Sequence, residues 1–230
     1  MQKRTISVRR IIGWVITGHL IFVLAIAVIS VFLTFFDPPF TSLMLYRTVS
    51  NLTLPKDHYS VDIEKVPRRY QRLLVYAEDP TFYRHRGIDI PSILSAYEVN
   101  EKYGRPLYGA STLTQQLART LFMFPQKLYI RKYVEMWIAL TMECVIPKDR
   151  ILELYLNYAE WGRGIYGIQS ASYYYYGAAV YRLSDDNVLR LLTLLPSPVR
   201  YTPFSFEQRT SLRMRYEKLT QLLGNFYGAK

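Results

Sequence analysis

Residues 128–159 read LYIRKYVEMWIALTMECVIPKDRILELYLNYA, and this stretch decides the fold. The first part, 128–146, is long and strongly apolar, which predicts a helix in the core of a domain. The second part, 148–159, carries apolar residues three and four positions apart, at Ile151, Leu152, Tyr155 and Leu156. That spacing is typical of an amphipathic helix whose apolar face packs on a core. The stretch therefore predicts two successive helices.

Helical patterns also dominate the chain on both sides of this stretch. The other predicted helices cover 66–79, 90–103, 111–123, 188–195 and 206–226. Pro91 favours a helix start when it stands in the first turn, and Ser111 is a candidate N-cap. Strand signals are weak, and the chain is 50% apolar, which is enough to build a core. We therefore predict a mainly α domain, all-α or nearly so, of about 190 residues.

An uncharged segment, Ile11 to Phe36, precedes this domain. As a helix it would extend about 39 Å, which exceeds the hydrocarbon core of a bilayer, about 30 Å. We expect one transmembrane helix that ends at Asp37-Pro38-Pro39. A cleaved signal peptide is the alternative. Apolar residues continue well beyond the small-residue site Ala25-Ile26-Ala27, however, which disfavours cleavage there.

Basic residues set the expected orientation of this helix. Four of them precede the segment, at Lys3, Arg4, Arg9 and Arg10. By the positive-inside rule they place 1–10 in the cytoplasm, 11–36 in the membrane and 37–230 outside the cytoplasm. We expect a single-pass protein of the cell (inner) membrane with a periplasmic, or otherwise extracytoplasmic, domain.

The composition is basic and rich in tyrosine, with a formal net charge of +11 and 21 tyrosines. A basic exported domain beside a membrane favours anionic partners, such as lipid headgroups or pyrophosphate, and disfavours nucleic acid. The alternative is a solvated surface without a partner.

The single cysteine, Cys144, excludes an intramolecular disulfide, and its apolar neighbours predict a buried thiol. No Cys/His cluster predicts a zinc site.

Two acidic residues, Glu78 and Asp79, end a predicted helix just before Pro80. Carboxylates are disfavoured there by a few tenths to about 1 kcal/mol, because the C-terminal end of a helix carries partial negative charge. Patterns that contradict a local preference often mark functional sites, and a carboxylate in that place suits a general acid or base. The alternative is a solvated acid in a turn.

A second acid, Glu135, lies inside the apolar segment, close behind Arg131 and Lys132. An acid beside two cations suits a pyrophosphate leaving group. The alternative is an ion pair on a helix surface, worth about 0.2–0.5 kcal/mol.

The segment 109–119, GASTLTQQLAR, combines neutral hydrogen-bonding groups with Arg119. Such groups suit a sugar linked to phosphate, and the alternative is a capped surface helix.

Four motifs in the chain together resemble those of the peptidoglycan glycosyltransferases, glycosyltransferase family fifty-one, and especially its monofunctional biosynthetic transglycosylases. E-D-x-x-F-x-x-H-x-G is matched by Glu78, Asp79, Phe82, His85 and Gly87. G-x-S-T-x-x-Q-Q is matched by Gly109, Ser111, Thr112, Gln115 and Gln116. R-K-x-x-E is Arg131, Lys132 and Glu135, and K-x-x-I-L-x-x-Y-x-N is Lys148, Ile151, Leu152, Tyr155 and Asn157. The order of the four motifs makes the resemblance far more specific than any one of them.

The resemblance implies a lysozyme-like helical fold with a small membrane-proximal subdomain, and a role for each site residue. Glu78 is expected to be the catalytic base, and Glu135 the second catalytic acid, which assists departure of the lipid pyrophosphate. The expected substrate-binding residues are Ser111, Thr112, Gln115, Gln116, Arg119, Lys127, Arg131, Lys132 and Asn157. Arg119 and Lys127 exchange the Lys and Arg that are usual in the family. No metal is certain, although Glu135 is a candidate to act through Mg²⁺ or another divalent cation.

The implied reaction is inverting polymerisation of lipid II into β-1,4-linked glycan strands, with release of polyprenyl pyrophosphate. Expected partners are lipid II, the growing strand, membrane lipids, separate transpeptidases, and divisome or elongation proteins, but not nucleic acid. Two alternatives remain open: a lysozyme-like enzyme that cleaves peptidoglycan, and a non-catalytic scaffold that binds lipid II. The chain departs from the family pattern at Arg163, Gln169, Asn187 and Arg190, where changed folding contacts or a changed partner surface are expected.

Overall fold

A computed structural model of the chain describes residues 7–51, 54–105, 109–125 and 130–228. Most of these residues are helical, as predicted. The α-helices are α1 (Val8–Phe35), α2 (Ser42–Asn51), α3 (Arg68–Glu78), α4 (Ile90–Tyr103), α5 (Leu113–Phe122), α6 (Ile130–Val145), α7 (Lys148–Tyr158), α8 (Ile168–Tyr176), α9 (Asp185–Leu194) and α10 (Thr210–Gly228). Short 3-10 turns cover Ile63–Lys65, Val180–Arg182 and Phe206–Gln208.

Local capping signals explain why α4 begins and ends where it does. The Asp89 side chain accepts a hydrogen bond from the Ser92 backbone N–H, and Pro91 stands in the first turn. Gly104 ends the helix in the left-handed conformation, at φ 61°. The predicted helix over 90–103 is therefore confirmed. Its boundaries could be predicted because both caps lie in the helix's own sequence.

The N-cap predicted for α5 is wrong by one residue. Thr112, not Ser111, caps this helix, and its hydroxyl accepts from the Gln115 backbone N–H. The Gln115 side chain accepts in return from the Thr112 backbone N–H, which completes a capping box. Ser111 and Thr112 are both good caps by type, and the Thr112 hydroxyl is selected because it also donates to the Gly87 carbonyl, at 2.7 Å.

The core is built around α5, which packs between α6 and α7. Its buried residues include Leu113, Leu117 and Ala118, each no more than 1% exposed. The neighbouring helices contribute apolar side chains that are equally buried, such as Met142 from α6 and Leu152 from α7. Truncation of one such leucine to alanine typically costs about 2–5 kcal/mol, so this packing fixes the position of α5.

The N-terminal helix α1 is long and apolar enough to cross a membrane by its length and composition. Along its inner face it packs against α6, where the His19 ring lies 4.6 Å from the Trp137 ring in an edge-on arrangement. The end of α1 is tied to α7, because the Arg150 guanidinium donates to the Leu33 carbonyl, at 2.9 Å, and pairs with Asp37. Helix α1 is therefore joined to the domain along its side and at its end.

Two features of the fold, a short β-hairpin and the exposure of Cys144, differ from what the sequence predicts. A two-stranded antiparallel hairpin, β1 (Glu160–Gly162) and β2 (Ile165–Tyr166), follows α7. Its strands are too short to give a sequence signal, and Trp161 fixes them to the core with no exposed surface. Cys144 is exposed, so the predicted burial of its thiol is wrong. The reason is that α6 is amphipathic, and Cys144 lies on its outer face.

Candidate active site

Asp79 and His85 connect the end of α3 to the start of α5. The buried Asp79 carboxylate accepts from the Leu113 backbone N–H, at 2.9 Å, and lies 2.9 Å from His85 Nε2. The other ring nitrogen, Nδ1, accepts from the Gly87 backbone N–H at 3.1 Å. Since Nδ1 is an acceptor, the ring proton of neutral His85 is on Nε2 and is donated to Asp79. The first motif therefore holds two helices in a fixed relation.

Gly87 is required where the backbone passes close to α6. Its φ is +87°, and a Cβ at this position would lie 2.8 Å from the Ala139 carbonyl oxygen. A side chain there would be strained by the φ value and would also collide with backbone. The close approach brings the first motif against the helix that carries Glu135.

Glu78, the predicted base, lies at the last turn of α3 beside two other helices. Its Oε1 forms an ion pair with Arg215 Nη2 from α10, and its Oε2 accepts from Gln116 Nε2 of α5, at 3.3 Å. The Glu78 side chain is 12% exposed, so the carboxylate is largely enclosed and retains a small accessible surface. A carboxylate accepts a proton only when ionised, and the ion pair with Arg215 is one that an ionised carboxylate makes.

Gln116 is oriented toward Glu78 by Tyr155 of α7. The Tyr155 hydroxyl donates to Gln116 Oε1 at 3.0 Å, which leaves the amide NH₂ group to donate to Glu78. Burial, followed by the nearby charge of Glu78, raises the pKa of Tyr155 well above its usual value. Tyr155 therefore remains a hydrogen-bond donor, and the orientation of the Gln116 amide is fixed.

Glu135, the second predicted acid, is held by two cations. Arg119 Nε donates to Oε2 at 3.1 Å, and Lys132 Nζ donates to Oε1 at 2.7 Å. The Glu135 side chain is only 1% exposed, whereas those of Arg119 and Lys132 are 37% and 48% exposed. The buried carboxylate thus positions two cationic groups that still reach solvent. Lys132 Nζ also donates to Ser111 Oγ at 3.1 Å, which joins the second motif to the third.

One turn of α5 brings the two acids into a common site. Gln116 contacts Glu78, and Arg119 contacts Glu135. Residues three apart on a helix have Cβ atoms about 5–6 Å from each other and share a face. Glu78 and Glu135 are distant in sequence, yet α5 places them on the same side with cations beside each. Arg131 lies half-buried on α6 near this cluster.

Three of the predicted substrate-binding residues make hydrogen bonds within the protein. Thr112 and Gln115 are buried and form the capping box of α5. Asn157 is 1% exposed, and its amide accepts from the Val61 N–H and donates to the Val61 carbonyl. Its hydrogen-bonding groups hold the segment before α3 and are not directed at the cluster. Lys127 lies outside the described residues.

Arg215 is the site residue that the sequence reasoning missed. It lies 137 positions from Glu78, and the arginines around it look alike in sequence. A signal was nevertheless present, because Leu212 and Leu219 are buried and Arg215 falls three residues after one and four before the other. An arginine on the apolar face of an amphipathic helix needs a buried partner, and that partner is Glu78.

The surroundings of Glu135 do not fit a divalent cation. Mg²⁺ binds carboxylate oxygens that are free to coordinate it, whereas both Glu135 oxygens accept hydrogen bonds from protein cations. Across the part of the chain that the structure describes, no group of three or more His, Cys, Asp or Glu residues could hold a metal ion. The groups that surround the Glu135 carboxylate are therefore two cationic side chains, Arg119 and Lys132.

A family model described as Transglycosylase matches residues 46–221, from α2 to α10. The chain belongs to the transglycosylase family. It is similar to the "Biosynthetic peptidoglycan transglycosylase" of Caulobacter vibrioides, at 37% identity over 195 residues, which is 84% of this chain and 84% of that relative. Relatives with the same description in Burkholderia cenocepacia and Burkholderia multivorans are 45% and 44% identical over 141 residues, 61% of this chain and 58% of each relative. The aligned part thus spans less than two thirds of the Burkholderia relatives.

The transglycosylase region includes every element of the cluster. Glu78, Gln116, Glu135 and Arg215 all lie within the matched range, whereas α1 precedes it. The fold expected from the resemblance and the family itself are both confirmed.

Proposed function

We propose that the chain is a peptidoglycan glycosyltransferase that polymerises lipid II into β-1,4-linked strands. The observation that carries the proposal is the placement of Glu78 and of the Arg119–Glu135–Lys132 group on one side of α5. The first supplies a carboxylate acceptor for a proton, and the second supplies cations for a pyrophosphate. The description of the relatives as biosynthetic peptidoglycan transglycosylases agrees with this chemistry.

In the proposed step, Glu78 accepts the proton of the acceptor sugar's 4-hydroxyl as that oxygen attacks the anomeric carbon of the donor. The new carbon–oxygen bond forms while the bond to pyrophosphate breaks, and the lipid pyrophosphate leaves with the electron pair. Attack opposite to the leaving group inverts the configuration, from an α-linked pyrophosphate to a β-glycoside. Gln116 holds the Glu78 carboxylate in place for the transfer.

Arg119 and Lys132 are proposed to stabilise the charge that develops on the pyrophosphate. Preorganised cations in a partly enclosed site stabilise a transition state more than free ions in water do, because they need no reorganisation. Glu135 serves as a positioning residue, since its carboxylate is buried and both of its oxygens are engaged. Lys127 and Arg131 are proposed to add to the same positive surface, and Ser111 to contact the substrate beside Lys132.

The proposed location is the cell inner membrane, with α1 as a single-pass anchor, 1–10 in the cytoplasm and 37–230 outside it. This arrangement keeps the site beside the bilayer that holds lipid-tailed substrates. Membrane lipids, separate transpeptidases, and divisome or elongation proteins are proposed partners. The supporting observations are the length and composition of α1 and the contact of its C-terminal end with α7.

The test uses the purified full chain in detergent with labelled lipid II. We expect polymer from the wild type and a loss of about 10²–10⁴-fold in rate for Glu78→Gln, which is the range for removal of a general base. Glu217→Gln is the matched control, because Glu217 is an exposed acid on α10 away from the cluster. A Glu78→Gln enzyme as fast as the wild type would contradict the assignment of the base.

The two alternatives predict different results in the same assays. A lysozyme-like enzyme would release fragments from finished wall, and a scaffold would bind lipid II without turnover. Cleavage of glycosidic bonds normally uses two carboxyl groups that flank the bond, one of them able to donate a proton. Because Arg119 and Lys132 occupy both oxygens of Glu135, the geometry favours polymerisation over cleavage.

A further inference from the structure

A groove lies apart from the cluster around Glu78 and Glu135. It is bounded by the turn of the β-hairpin, by α8 and by the segment after α9, and its volume is about 730 Å³. An adjoining groove of about 540 Å³ shares Lys56, Ile165 and Tyr174 with it, so the two form one longer track, here called the tyrosine groove. Neither lining set includes a residue of the Glu78 or Glu135 cluster.

The charged side chains of the larger part of this groove are all cationic. They are Lys56, Arg163 and Arg200, and no acidic residue lines that part. The adjoining part adds one acid, Asp57. Among the residues that the structure describes, none of the three cations has a carboxylate within 4.0 Å, although many other basic side chains here are paired. Unpaired cations gathered around one concave surface favour an anionic ligand.

A second cavity has a different charge pattern from that of the tyrosine groove. The cavity along the outer face of α3, of about 700 Å³, is lined by the cations Arg68 and Arg72 but also by the acids Glu64 and Asp149. Its charges balance, and it carries no comparable positive field.

Aromatic rings form the walls between the three cations. Lys56 Nζ lies 3.8 Å from the centroid of the Tyr174 ring, and Tyr174 and Tyr175 meet edge-on at 5.0 Å. Tyr174 is 54% exposed and Phe204 is 66% exposed, although both lie in a concave surface. Tyrosine offers a flat apolar face and a hydroxyl, which suits a sugar ring with its apolar face and polar edge.

We propose that the tyrosine groove binds an anionic segment of glycan strand, with sugar rings on Tyr174 and its neighbours and carboxylates on Lys56, Arg163 and Arg200. The proposal rests on the proposed function, because a peptidoglycan strand is a sugar chain whose stem peptides carry carboxylates. The elongated, concave shape favours a chain over a flat lipid surface. Arg163 supplies one of the three positive charges.

Occupation of this groove would tether the strand during elongation. A second contact on the same molecule raises the effective concentration of the strand at the active site without any change in the reacting groups. Loss of the groove should therefore shorten the strands that are made, while the rate at which the first bond is formed stays near that of the wild type.

The direct test measures binding of lipid-free peptidoglycan oligomers with intact stem peptides to the full chain in detergent, with Glu78→Gln as the background to prevent turnover. We expect the Arg163→Glu, Arg200→Glu double variant to bind at least about tenfold more weakly, and binding to weaken as salt is raised. Arg182→Glu is the matched control, since Arg182 is an exposed arginine beside Tyr181 and lies outside the groove. Tyr174→Ala tests the aromatic contact without a change in charge.

Each contrary outcome has a distinct meaning. Equal binding of oligomers whose carboxyl groups have been amidated would overturn the charge contacts. The glycan assignment would be overturned if the protein did not bind oligomers but bound anionic phospholipid vesicles, or an acidic peptide without sugars, in a way that depends on Arg163. If the wild type binds oligomers through Arg163 but makes no polymer from lipid II, the proposed function fails and the groove stands. If the Arg163→Glu, Arg200→Glu double variant makes polymer of the same length as the wild type, the proposed role of the groove fails and the proposed function stands.

Discussion

Replacement of Arg215 by glutamine should impair the reaction mainly through Glu78. The Arg215 and Glu78 side chains are 21% and 12% exposed, so their ion pair is neither a free surface contact nor a deeply buried one. A hydrogen bond to a charged group of this kind contributes about 1.5–3 kcal/mol. If that interaction holds the base in the transition state, kcat/KM should fall by roughly 10- to 150-fold. Arg215→Lys keeps the charge and should retain part of the activity.

The assay is polymer formation from labelled lipid II, measured together with the thermal midpoint of each variant. Arg213→Gln is the matched control, because Arg213 is an exposed arginine on the same helix. The decisive comparison is the double variant Glu78→Gln, Arg215→Gln. Since Arg215 acts through Glu78, the double variant should be no slower than Glu78→Gln alone. Additive losses, or an equal loss in Arg213→Gln, would refute the reasoning.

Two further predictions concern the scaffold under the site. Gly87→Ala should lower the free energy of unfolding by more than about 1 kcal/mol, because φ is positive at this position and the new Cβ would meet the Ala139 carbonyl. Thermal unfolding measures this effect, and an unchanged midpoint would contradict the close approach of the two backbone segments. Burial raises the pKa of Asp89, but hydrogen bonds from Ser92 and Thr81 outweigh it and leave the pKa below its usual value. Asp89 therefore contributes stability that is fully present above its unfolded-state pKa of about 3.9 and is lost as pH falls through its lower folded-state pKa. The Asp89→Asn variant keeps a good N-cap residue. It should remove the part of the acid dependence of the unfolding midpoint that comes from Asp89.

The parts of the fold that could be predicted are those whose signals are local. The bounds of α4 follow from its own caps, and most of α1 follows from the uncharged run that begins at Ile11, although the helix itself begins earlier, at Val8. The cap of α5 was misplaced because Ser111 and Thr112 have similar capping preferences, and only a bond to the distant Gly87 carbonyl separates them. The exposure of Cys144 likewise depends on which face of α6 meets its neighbours.

The site shows the same division between local and distant information. The motifs identified Glu78 and Glu135, because residue types at fixed spacing are visible in the sequence. They did not separate residues that face the cleft from residues that hold it together, so Asn157 and Gln115 were grouped with the binding residues. That distinction depends on which partners a side chain finds after folding. The Asn157 amide bonds to the Val61 backbone, and Gln115 Oε1 accepts from the Thr112 backbone N–H, so contacts made on folding determine where both side chains lie.

The distance between the proposed base and the proposed leaving-group cations is set by a single helical turn. Gln116 and Arg119 are half-buried, while Leu117 and Ala118 between them are 1% and 0% exposed. Rotation of α5 about its axis would bring these apolar residues out of the core and swing both polar contacts away together. The buried face of α5 therefore holds Glu78 and Glu135 in register, and the three-residue spacing of Gln116 and Arg119 suits that geometry.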